Sequence, residues 1–173
     1  MPVENPLVDL AALDFTRPLV DRDGVLALNP HRGAMVLLDG IVSIDGERKV
    51  IVGYKDVTAD EFWASGHFPN FPVMPGVLMC EAAAQLTSFY MYQQKIVAAD
   101  RLVGLGGIEE TRFREPVRPG DRLILVGLGR RTAPRLTRFE VKGYVSRAGT
   151  FESVFETTIM GVTLGTLKDL IGA

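Results

Sequence analysis

The chain has 173 residues, a length suited to one domain, with 47% hydrophobic and 23% charged residues, as in an ordinary globular protein with a real core. A net charge of −2 argues against a nucleic-acid binder. One cysteine, Cys80, allows no intrachain disulfide and fits a reducing cytoplasm. The N-terminus has early acids and no basic-then-apolar run, so it does not read as a secretory signal. No window approaches the ~18 uncharged apolar residues of a membrane helix.

Residues 7–14 have the spacing of one short helix, and "DRDGVLALNP" that of a second, stopped by Pro30. "AMVLLDGIVSID" and "RKVIVGYKDV" read as two strands joined around Asp45-Gly46. A proline-rich loop leads to a helix expected from Gly76 to Lys95, which has no internal Pro or Gly. After it the period changes. "RLVGLGGI", "TRFREPV", "DRLILVGL", "TRFEVKGYV" and "FESVFETTIMGV" look like strands, with "RPGDR" a turn between the second and third. In the fourth, Phe139, Val141, Gly143 and Val145 share a face; in the fifth, Phe151, Phe155 and Ile159 do. The class is therefore α+β, with sheet wrapped around a buried helix. A helix apolar on most sides is hard for one chain to cover, which hints at a dimer.

From His67 to Lys95 the only charged side chain before the end is Glu81. Its helical neighbours, Val77, Leu78, Ala84 and Gln85, include no cation. An ionised carboxylate there must face water along an exposed stripe, find a polar cavity or partner, or take up a proton. Burial raises a carboxyl pKa and makes it a usable acid near neutrality. His67 reads either as a structural hydrogen-bonder or as a base. Pro69, Pro72 and Pro75 stiffen the loop between them. Pro75 suits a first helical turn, and Gly76 leaves its N–H open to a ligand at the positive end of the helix. Base, electrophilic donor and acid together suit removal of a proton α to a carbonyl and protonation of a leaving group.

The ordered block "GHFPNFPVMPGVLMCEAAAQ" resembles the signature of the bacterial β-hydroxyacyl-(acyl carrier protein) dehydratases of the FabZ type. "NPHRGAMVLLDGIVSI" and "TRFREPVRPGDRLIL" extend the likeness to about Asn29–Val162. The resemblance implies a hotdog fold over residues 29–173, an antiparallel sheet around a long central helix. Residues 1–28 would form an extension with short helices. Two hotdogs pair in this family, and three pairs often assemble. The reaction implied is dehydration of a 3-hydroxyacyl thioester to the trans-2-enoyl thioester, without metal or redox cofactor. His67 of one subunit would remove the α proton, its ring held by the Val73 carbonyl. The Gly76 N–H would polarise the thioester carbonyl. Glu81 of the other subunit would protonate the departing hydroxyl, oriented by Gln85. Met74, Leu78 and Met79 are candidates for an acyl tunnel. His31, in the family's "PHR", reads as structural.

Thr111–Arg147 carries ten Lys/Arg against three Asp/Glu, a net +7 that leaves −9 elsewhere. These are either outward strand positions or a landing surface for the acidic carrier protein, with Arg130, Arg131 and Arg135 the residues to test. The sequence departs from the family pattern at "DEFWASG", at Phe71, where histidine is usual, and at "RLVGLGGI", which lacks the aromatic that usually gates the tunnel; chain-length preference is left open. A dehydratase-isomerase relative carries aspartate at the Glu81 position. Competing with the dehydratase are a hotdog thioesterase, a non-catalytic acyl-thioester binder and a dehydratase of specialised lipid or polyketide synthesis.

Overall fold

The computed structural model describes residues 7–172, so the first six residues of the expected extension lie outside it. A 3-10 turn at Leu10–Ala12 stands where the sequence suggests the first short helix. Helix α1, Arg22–Leu28, follows, opened by the Asp21 carboxylate accepting the Gly24 N–H at 2.9 Å. Strands β1 (Gly40–Asp45) and β2 (Val50–Asp56) form the expected hairpin. Helix α2 spans Gly76–Gln93. Then come β3 (Arg101–Phe113), β4 (Arg122–Thr132), β5 (Leu136–Arg147), β6 (Thr150–Thr166) and a short α3 (Leu167–Ile171). The six strands make one antiparallel sheet in the order β1-β2-β4-β5-β6-β3.

The sheet curls around α2. Leu86, Phe89 and Tyr90 of the helix meet Ile51, Leu123, Leu125, Phe139, Val141 and Phe155 of the sheet in one buried cluster. Strand alternation supplies the sheet side of this core: Phe139 and Val141 point in, Glu140 and Lys142 out. Gly53 lets the helix approach closely, since a Cβ there would lie 2.7 Å from Leu86. β2 is buried on both faces. Its residues Val50, Val52 and Tyr54 join Ile124, Val126 and Tyr144 in a second cluster on the outer face of the sheet. Leu10 is buried in that cluster, and Val8, Leu13 and Phe15 pack against it. The N-terminal segment thus covers an apolar sheet face that would otherwise be wet. Arg122 fastens it, donating to the Phe15 carbonyl at 2.9 Å while lying 4.2 Å over the Tyr54 ring.

Three expectations change. "RLVGLGGI" and the start of "TRFREPV" are one strand, β3. Its pairing with β6 shifts register between Glu109 and Arg112, where Glu110 adopts φ 49°, so a bulge imitates a turn. Phe151 does not share the face of Phe155 and Ile159. The register slip between Gly143 and Tyr144 inserts one extra β6 residue and turns Phe151 towards the outer cluster. The C-terminal α3, opened by a Thr166–Asp169 capping box, has no counterpart among the elements expected from sequence.

β3 is an edge strand, bonded only to β6, and it carries half-exposed Leu105, Ile108 and Phe113. Among the described residues no helix is long and apolar enough to cross a membrane.

Candidate active site

The loop before α2 holds His67 from several directions. The His67 N–H donates to the Trp63 carbonyl (2.9 Å), and the Val73 N–H donates to the His67 carbonyl (2.8 Å). The ring Nδ1 lies 2.8 Å from the Val73 carbonyl oxygen. A carbonyl can only accept, so Nδ1 carries the hydrogen and Nε2 keeps a free lone pair, the tautomer a base requires. The ring stacks on Phe68 at 4.2 Å. Phe68 and Phe71 exchange two backbone hydrogen bonds, and Arg118 lies 4.4 Å over the Phe71 ring. At the loop's start, the Glu61 carboxylate takes a 2.8 Å bond from Lys55 Nζ, which also bonds Asp39 at 3.1 Å. Lys55 is buried, so this ion group pins the loop to β2 and to the chain before β1.

The same loop ends in the first turn of α2. Leu78 and Met79 N–H groups reach back to the Pro75 carbonyl (2.9 and 3.2 Å). Those of Gly76 and Val77 meet no acceptor among the described residues. An open N–H at a helix N-terminus is a donor for developing negative charge. Gly76 has a second reason to be glycine: a Cβ there would sit 2.7–2.9 Å from atoms of the Phe113 ring.

Glu81, on the next turn, is half-buried, with its Oε1 taking both polar contacts. Gln85 Nε2 donates to it at 3.0 Å, and His31 Nε2 lies 3.3 Å away. Gln85 also binds the segment before β1: Nε2 donates to the Met35 carbonyl (2.7 Å), Oε1 accepts the Leu37 N–H (3.0 Å), and its backbone carbonyl accepts Asn29 Nδ2 (2.9 Å). From sequence, burial is expected to raise the Glu81 carboxyl. Burial does push it up, but the hydrogen bonds from His31 and Gln85 work the other way, and the carboxyl lies below its ordinary range. His31, read from sequence as structural, is the missed residue. It stands 50 positions from Glu81 in the chain, and no local pattern joins them.

A cavity of about 50 Å³ opens at Glu81 and His31 and runs past Thr87 and Ser88 to Val103 and Leu105 of β3. Met74 and Met79 lie in the main core and Leu78 packs against it; none of the three lines this cavity. Neither does His67. Within one chain no hydrogen bond or ion pair joins His67 to Glu81 among the described residues, nor do they share this cavity. Among those residues no group of three or more His, Cys, Asp or Glu is placed to hold a metal.

Much of the basic segment is spent internally. Arg130 pairs with Glu140 (2.8 Å), Arg122 with Asp56, Arg138 with Glu109, Arg147 with Asp121 and Glu152, and Arg112 and Arg114 with Glu156. Arg131 and Arg135 are exposed and in no ion pair among the described residues. Arg135 lines, with Arg101 and Leu164, a cavity of about 530 Å³ at the start of β3.

Residues 29–145 match the FabA-like domain family. A relative from Desulfotalea psychrophila, named 3-hydroxyacyl-(acyl-carrier-protein) dehydratase FabZ, is 47% identical over 106 residues, 61% of this chain and 70% of the relative. One of the same name from Alkalilimnicola ehrlichii is 33% identical over 151 residues, 86% of this chain and 97% of the relative. Among solved structures, a chain of the dehydratase heterocomplex ApeI:P from Xenorhabdus doucetiae superposes with a TM-score of 0.67 at 20% identity, covering 91% of this chain and all of that one. The E. coli PaaI protein superposes with a TM-score of 0.53 at 16% identity, covering 70% and 80%. These likenesses show the hotdog fold, and with the family match and the FabZ relatives they lead to one conclusion: the chain belongs to the FabA-like family, as a FabZ-type dehydratase.

Proposed function

We propose that the protein dehydrates 3-hydroxyacyl thioesters carried on acyl carrier protein to trans-2-enoyl thioesters, for fatty acid or related lipid synthesis. The observation that carries this reading is the His67–Val73 hydrogen bond, which leaves Nε2 as a base on the loop that ends at the unpaired N–H groups of α2. His67 Nε2 takes the α proton, and the electron pair moves towards the thioester carbonyl. The growing charge on its oxygen meets the Gly76 N–H. In this reading the closed, substrate-filled site, by excluding water, restores a proton to the Glu81 carboxyl that the single chain holds ionised. The C–O bond to the β-hydroxyl then breaks, that proton makes it water, and the His67 imidazolium gives its proton back to Glu81 for the next turnover. The thioester itself acidifies the α position, so the proposed steps use no redox or metal group.

His67 and Glu81 share no cavity within one chain, and this reading brings them together across a homodimer, His67 from one copy and Glu81 from the other. The open edge of β3, with Leu105, Ile108 and Phe113, and the exposed Val77 beside it, supports such a pairing. Three such pairs could then assemble. The catalytic unit in this reading is residues 29–173; within the preceding extension of residues 1–28, the stretch from Val8 to Phe15 is a strap over the outer sheet face. The carrier protein would be met in the cytoplasm by Arg131 and Arg135, with Arg130 already held by Glu140.

Enoyl absorbance, followed with 3-hydroxyacyl thioesters of several lengths on carrier protein, tests the reading. Wild type should form product, and His67→Ala and Glu81→Gln should each lose about two to four orders of magnitude. Thiol release without enoyl product, or no turnover at any length, would end it.

A further inference from the structure

The contact that the proposed reaction does not yet use is the one between His31 and Glu81. His31 comes from the segment between α1 and β1, and its backbone is clamped. Arg32 Nη1 donates to the carbonyls of both Asn29 and His31 (2.7 Å each), and Asn29 is tied to α1 and to Gln85. The imidazole is thereby delivered to the cavity with Nε2 at 3.3 Å from Glu81 Oε1.

Its other nitrogen settles the tautomer. Nδ1 is buried with no partner. A bare lone pair is tolerated in such a place more readily than an orphaned N–H. The single hydrogen of a neutral ring therefore belongs on Nε2, where a carboxylate oxygen can accept it. Gln85 donates to that same oxygen. Both lone-pair directions of Oε1 are then occupied, and Oε2 is the oxygen left for chemistry.

We propose that His31 is a positioning residue for Glu81: a neutral imidazole that donates Nε2–H to Oε1 and, with Gln85, fixes the carboxyl so that only Oε2 exchanges a proton with the substrate hydroxyl. This deepens the dehydratase reading and rests on it. The charged surroundings are few. β3 and β6 present Val103, Gly104, Leu105, Ile159 and Gly161 to the cavity, none titratable. The Arg32 guanidinium is turned to backbone carbonyls. In the proposed dimer the remaining titratable neighbour is His67 of the second copy. The His31 contact thus acts on the Glu81 carboxyl with little competition. Each donor on Oε1 favours the ionised carboxylate, so their loss lets the carboxyl keep its proton to higher pH.

A ¹³C carboxyl NMR titration of the full chain tests this, with the Glu81 signal assigned by its loss in Glu81→Gln. In His31→Ala the Glu81 titration should move to higher pH. In His31→Gln, which restores an uncharged N–H donor, it should return most of the way to wild type. In turnover, His31→Ala should lower kcat about ten- to hundredfold, the scale of one charge-assisted hydrogen bond, with little change in KM, and move the basic limb of the kcat profile upward. His31→Gln should recover both. An unchanged Glu81 titration in His31→Ala would overturn the proposal, and so would a glutamine that fails to restore it. The titration needs no turnover: a chain inactive as a dehydratase whose Glu81 still responds to His31 would sink the function and leave this contact standing.

Discussion

The two ends of α2 are made of similar apolar residues and live in opposite surroundings. From Gln85 to Tyr92 every residue is buried, under β-strands on one side and the segment before β1 on the other. From Gly76 to Glu81 the cover is incomplete. Val77 is 72% exposed, two N–H groups lack acceptors among the described residues, and Glu81 opens on a cavity. The distal end is ordinary core, where packing alone decides the sequence. The proximal end keeps apolar surface, unpaired donors and a carboxylate within two turns, a combination a lone folded chain has no reason to maintain. In the proposed reading, the proximal end is where the chemistry lies and where a second copy completes it.

Substitutions matched across the helix sharpen the contrast. Phe89, wholly buried at the distal end, should cost about 3–5 kcal/mol of folding stability when changed to alanine, read as a fall in the denaturant midpoint. Val77→Ser should change the stability of the individual chain by no more than about 0.5 kcal/mol, the scale of an exposed site. It should instead weaken self-association in sedimentation. Equal folding losses at the two positions would erase the distinction between the ends.

A smaller effect probes the sealed outer face. Tyr144 is fully buried there, its hydroxyl has no partner among the described residues, and burial pushes its pKa up to about 12, with Glu156 adding to the shift. The unfolded chain releases this proton near pH 10 and the folded chain near 12. The unfolded state therefore binds fewer protons in that window, and stability falls as pH rises through it, by about 2–3 kcal/mol in total. Tyr144→Phe should reduce the alkaline loss by that amount and be nearly neutral at pH 7, since it removes an unsatisfied hydroxyl. A strongly destabilising Tyr144→Phe at pH 7 would mean that the hydroxyl has a partner after all.

What the sequence discloses follows the range of the interactions. α2 is legible because Pro75-Gly76 marks its start and nothing inside interrupts it; β5 is legible from its alternation, and β4 from a short apolar run set off by the turn before it. The His67 loop is legible as one block because its prolines and its Val73 contact are local. Bulges defeat the same reading: Glu110 splits β3 in appearance, and the slip at Gly143/Tyr144 reverses Phe151. The cavity at Glu81 is not legible from sequence, because nothing local says that Met74 and Met79 fill space in the core while smaller side chains such as Ala84 and Ser88, further along the helix, leave room. His31 is invisible as a partner of Glu81 because only the fold closes the 50 residues between them. The outer strap of Leu10, Leu13 and Phe15 is hidden likewise, since its helical spacing says nothing about which sheet face it covers.

The central claim is that each site is assembled from two copies, and subunit mixing tests it most directly. His67→Ala and Glu81→Gln chains, each inactive alone, are unfolded together, refolded as a mixture and assayed for enoyl formation. If a twofold pair shares its sites, half the dimers are mixed, and each has one site with both His67 and Glu81 intact; activity should return to about a quarter of wild type. A mixture as inactive as its components, with mixed dimers demonstrably formed, would place both residues of each site in a single chain and contradict the account.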